Sequence, residues 1–130
     1  VYYETAIKAA MDCNGDASKF VENMGGNAYY AGLAEGFVDA SPLNESVAAP
    51  NTKAVMDAVR ELIISGEWDV FSGVKLSYNI SEDGKVEIVK TDAPLMDNQG
   101  NEIVPAGGPS VDDGVIKGSM NYNVAGVVEG

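Results

Sequence analysis

Two apolar periods meet near the middle of this chain, and together they fix most of what it can fold into. From Asn51 to Ser65, the residues Val55, Ala58, Val59, Leu62 and Ile63 recur at the spacing that lines one face of an α-helix. Asn51 stands where a capping side chain belongs, and Gly66 stands where a helix exits. From Val74 the spacing turns to alternation. Val74, Leu76, Tyr78 and Ile80 share one side, Glu82-Asp83-Gly84 reads as a turn, and Val86 and Ile88 come back to meet them. Helix followed by hairpin predicts an α/β chain.

The flanking segments are read by the same rules. Tyr2, Tyr3, Ala6, Ile7 and Ala10 follow helical spacing up to the stop at Asn14-Gly15, and Asp16 to Met24 reads as a short second helix that Gly25-Gly26-Asn27 breaks. Gly36-Phe37-Val38-Asp39-Ala40 has the short, β-prone look of a strand, which Ser41-Pro42-Leu43-Asn44 ends because proline cannot continue a ladder. Beyond the hairpin, Asp97-Asn98-Gln99-Gly100 reads as a second turn before Ile103-Val104-Pro105. A glycine-rich loop then leads to a final short helix near Asp112 to Ile116. The division falls at 66/67, with a helix/strand/helix portion over 1–66 and a hairpin-rich tail over 67–130.

With 130 residues, 45% of them hydrophobic and 22% charged, the chain has the composition of an ordinary globular domain with one modest core. Acidic residues outnumber basic ones by 20 to 8, so a net charge of -12 repels nucleic acid and anionic lipid surfaces. No apolar run approaches the roughly 18 residues of a spanning helix. Val1 to Ile7 already reads as helix without a Met, a leader or a cap, which predicts a missing N-terminal portion. The single Cys13 excludes an internal disulfide and reads as a stray thiol near a helix end.

The search for chemistry removes more than it finds. The chain has no histidine, so Ser-His-Asp triads, Cys-His dyads and histidine-ligated metals are excluded. Asp112-Asp113 reads as solvated surface or a helix cap rather than an acid–base pair. Asp97, Gln99, Asn101 and Glu102 crowd oxygen atoms around Gly100, yet lack calcium-loop spacing and read as a turn. Gly25-Gly26 and Gly107-Gly108 lack phosphate-loop spacing, and the sequons at Asn44-Glu45-Ser46 and Asn79-Ile80-Ser81 are chance-level patterns. Tyr29, Tyr30, Trp68, Phe71 and Tyr122 could stack on a flat ligand, although core packing is the ordinary work of such rings. No catalytic residue, metal ligand or cofactor is expected, and the chain is read as no enzyme.

The order of segments carries more than any motif. Val1-Tyr2-Tyr3-Glu4-Thr5-Ala6-Ile7-Lys8-Ala9-Ala10 is followed by Tyr30-Ala31-Gly32-Leu33-Ala34-Glu35-Gly36-Phe37-Val38 and Ser41-Pro42-Leu43-Asn44, then by Ile64-Ser65-Gly66-Glu67-Trp68-Asp69-Val70-Phe71-Ser72-Gly73. Asp97-Asn98-Gln99-Gly100, Val104-Pro105-Ala106-Gly107, Asp112-Asp113 and Met120 to Val128 complete the series. In that order they resemble the closing third of the basic membrane protein family, the lipid-anchored substrate-binding proteins of bacterial ABC importers.

That resemblance implies the C-terminal part of a two-lobed, periplasmic-binding-protein-like fold. It implies a parent held outside the cytoplasm by its N-terminal lipid, which closes over a purine nucleoside and delivers it to an ABC permease. The ligand-holding residues are expected mostly upstream of Val1, and none is assigned here. Strands lacking their sheet partners are expected to expose edges that another copy can cover, giving self-association. Two features depart from the family: the stretch from Val74 to Leu95 is longer, suggesting an inserted hairpin, and Tyr122 stands where a tryptophan is frequent. The alternative reading is a surface adhesin or ligand-sensing regulator on the same fold.

Overall fold

The computed structural model describes residues 1–26 and 28–127. Asn27, within the expected glycine break, and Val128, at the end of the last resembling segment, lie outside the described residues. The described chain is mixed α/β with two small antiparallel sheets, and it shows no two-lobed binding-protein architecture. It divides into two compact units, Val1–Pro42 and Leu43–Gly130.

The first unit is helical. α1 covers Tyr2–Asp12 and α2 covers Ala17–Asn23. Asp16 starts α2 by accepting the Ser18 and Lys19 N–H groups on Oδ1, at 2.9 and 3.4 Å, which satisfies donors that a helix start leaves without partners. Small residues pack where the two helices meet, since Ala9 and Cys13 are buried and Cys13 Sγ donates to the Ala10 carbonyl at 3.2 Å. The strand expected at 36–40 is absent. Residues 33–38 turn instead, with the N–H of Phe37 donating to Gly32 O at 3.0 Å. β-prone residues need a neighbouring strand to complete their ladder, and among the described residues this unit offers none.

The second unit holds both periods read from the sequence. α3 spans Thr52–Ile64, and β1 (Val74–Ile80) pairs antiparallel with β2 (Val86–Asp92). Tyr78 faces Ile88 and Ile80 faces Val86, the register that alternation requires. α3 packs on β2, and Val55, Ala58, Val59, Leu62 and Ile63 are each half-buried rather than enclosed. Gly66 leaves the helix with φ +70°, a left-handed exit natural to glycine. Asn51 does not cap as expected. It sits at φ 67° with no side-chain bond to the helix, because the turn into α3 uses its backbone and not its amide.

Past the hairpin, β3 (Leu95–Met96) pairs with β4 (Glu102–Val104), and α4 spans Asp113–Gly118. Among the described residues of this unit, Val104 is the buried apolar side chain. The cores are thin: among the described residues no large side chain is fully enclosed, while Tyr3, Ile7, Met11 and Val47 lie well exposed. No described helix is long and apolar enough to cross a membrane.

Candidate functional site

Asp97, Asp112 and Asp113, singled out by the sequence, are engaged by backbone amides and side chains close by in sequence. Asp97 is buried within the β3–β4 turn. Its Oδ1 accepts the N–H groups of Gln99 and Asn101 at 2.9 and 2.8 Å, and its Oδ2 accepts Asn101 Nδ2 at 2.8 Å. The Asn101 side-chain amide first, and the backbone amides after it, hold this carboxyl below its ordinary range despite partial desolvation. The last described segment docks on the same turn, with Asn98 N–H donating to Asn123 O and Ala125 N–H to Met96 O, each at 2.8 Å. The oxygen cluster is a clamp that holds β3, β4 and residues 123–125 together.

Asp112 and Asp113 serve α4. Asp112 accepts Gly114 N–H at 2.7 Å as the cap, and Asp113 pairs with Lys117 one turn on at 2.6 Å. Trp68 donates Nε1–H to Val74 O at 2.8 Å, fixing the start of β1, while Phe71 and Tyr122 are half-buried. Lys90, opposite Leu76 on the apolar side of the hairpin, reaches Glu67 at 3.3 Å and its carbonyl at 3.0 Å, so its stem lies along the sheet while its charge stays wet.

The tight point is Gly73, which is buried. Its N–H donates to Gly108 O at 3.0 Å, and its carbonyl accepts Gly107 N–H at 2.7 Å and Ala93 N–H at 3.0 Å. A methyl group there would lie 2.0 Å from the Pro105 carbonyl oxygen, so only glycine admits the close approach of these two segments. Gly107-Gly108 is accordingly half of a backbone junction, which its composition alone does not announce.

Rings gather in the first unit. Tyr2 sits edge-to-face with Tyr3 and with Tyr29, and Tyr29 with Phe37, each pair 5.4 Å between centroids. Of the rings named from sequence as stacking candidates Tyr29 joins this row; the distance along the chain between Tyr2, Tyr29 and Phe37 hides that they meet. Apolar surface also stays open in the second unit, where a cavity of about 160 Å³ lies between the start of α3 and the outer end of β1, lined in part by Val55, Met56, Tyr78 and Ile80. Among the described residues no group of three His, Cys, Asp or Glu side chains is placed to hold a metal ion.

No protein-family model, curated protein or solved structure matches this chain.

Proposed function

We propose that the chain is the C-terminal part of a two-lobed extracytoplasmic solute-binding protein, one that captures a purine nucleoside and hands it to an ABC importer. Its own contribution is scaffold, and it performs no chemistry. One observation carries the reading: the carboxylates of Asp97, Asp112 and Asp113 and the Trp68 indole are all engaged internally, while the apolar faces stay open. A surface of that kind suits packing against further protein better than it suits acid–base catalysis. The shared order of segments from Val1 to the Met120 region supports the family reading, and the hairpin at 74–92 is then an addition to that family's scaffold.

The gene's surroundings test this. The reading expects a permease and an ATPase encoded beside it and a lipid-attachment signal in the same reading frame. A gene standing alone, or among adhesion or regulatory genes, contradicts it.

A further inference from the structure

The two edges of the first sheet are not equivalent. Ser81 N–H donates to Lys85 O at 3.0 Å and Ala93 N–H to Gly73 O at 3.0 Å, so in β1 the odd residues Lys75, Ser77 and Asn79 turn their backbone groups toward β2. The even residues turn theirs outward. Trp68 Nε1 occupies the outward carbonyl of Val74, which leaves the edge from Leu76 to Ile80 with no strand beside it among the described residues. On the apolar side of that same stretch, Tyr78 is 55% and Ile80 40% exposed, bordering the cavity at the start of α3 without being covered by it.

β2 is guarded. Antiparallel self-pairing along its outer edge centred on Ile88, Val89 or Lys90 sets Lys90 against Val86, Ile88 or another Lys90, and centring on Glu87 opposes two Glu87 carboxylates, so each of these registers buries a charge on an apolar neighbour or opposes like charges. β1 carries no such penalty. Centred on Tyr78, an antiparallel partner β1 would place Tyr78 on Tyr78, Leu76 on Ile80 and Ser77 on Asn79. Lys75 would fall opposite Ser81, beside the turn carboxylates Glu82 and Asp83.

We propose that the Leu76–Ile80 edge is an interface between two copies of this chain, forming a four-stranded antiparallel sheet β2-β1-β1-β2. The two-fold axis stands perpendicular to the sheet at Tyr78, so both α3 helices lie on one face and cover the tyrosine–isoleucine patch from either side. The occupant is a second copy because the exposed strand is complementary to itself in side chain, backbone polarity and charge. Its free length ends at Trp68 on one side and at the Ser81 turn on the other. A two-stranded ribbon is weak alone, and doubling it supplies the missing strands. This goes beyond the proposed function and does not rest on it.

Sedimentation velocity of the whole chain, with the mutant Tyr78→Lys beside it, tests the interface. The wild type is expected to approach twice its 13.6 kDa mass as concentration rises. Tyr78→Lys opposes two charges on the axis and is expected to weaken dimerisation at least about tenfold with an unchanged far-UV spectrum. Register is read separately in a Cys13→Ser background. Ser77→Cys and Asn79→Cys chains should join on mixing, since opposed non-hydrogen-bonded residues lie roughly 4.5 Å apart at Cα, within disulfide reach, while either chain alone should join poorly. A wild type that stays monomeric at every concentration overturns the proposal, as does mixing that yields no more cross-linked dimer than the separate chains.

Discussion

Among the described glycines, Gly73 has the least room for a side chain. Its backbone carries three hydrogen bonds to Ala93, Gly107 and Gly108, and a β-carbon would collide with the Pro105 carbonyl. Gly73→Ala is expected to cost about 3 kcal/mol, measured by denaturant unfolding, because the blocking atom belongs to backbone that cannot swing aside. Asn51 gives a sign-dependent test. Its left-handed φ of 67° predicts that Asn51→Gly is neutral or stabilising, whereas Asn51→Ser, a good cap but a poor left-handed residue, loses about 1 kcal/mol. Asp97 makes stability depend on pH. Its carboxyl is held below the ordinary range by Asn101 and the turn amides, so its contribution is full above the ordinary carboxylate pKa and is lost as pH falls through the lowered folded value. Asp97→Asn should therefore flatten the acid limb of the melting-temperature profile relative to wild type; an unchanged limb would show that the clamp is not ionic.

At the scale of elements, what was legible is what local spacing determines. α3 and the β1–β2 hairpin follow from apolar period and turn residues, and the observed Tyr78–Ile88 and Ile80–Val86 pairs are the ones alternation requires. What was not legible depends on neighbours distant in sequence. The stretch 36–40 has strand composition, but the chain turns over 33–38, and among the described residues its own unit offers no strand to pair with. The Asn51 amide has the chemistry of a cap, yet its backbone takes a conformation that sends it elsewhere. Likewise the Gly73–Gly108 contact and the tyrosine row join residues that no periodicity links. Helical spacing names the face of α3 but not how far it is covered, and the apolar stripe is half-covered. Val59→Asp is accordingly expected to cost about 2 kcal/mol in chemical unfolding, less than a charge placed in a closed core, because water can still reach the carboxylate.

For the whole molecule, two compact units with thin cores explain why no site could be assigned from the residues alone. The first unit encloses little more than Ala9 and Cys13, the second Val104, and apolar surface remains on both. On the proposed function this surface is for packing, and residues 1–130 do not themselves capture the ligand. Isothermal titration with inosine, guanosine and adenosine, run on residues 1–130 and on the protein of the full reading frame, tests that division most directly. The account predicts no measurable heat of binding for the chain alone and saturable nucleoside binding by the longer protein. Sub-micromolar binding by residues 1–130, or no binding by either protein, would contradict it.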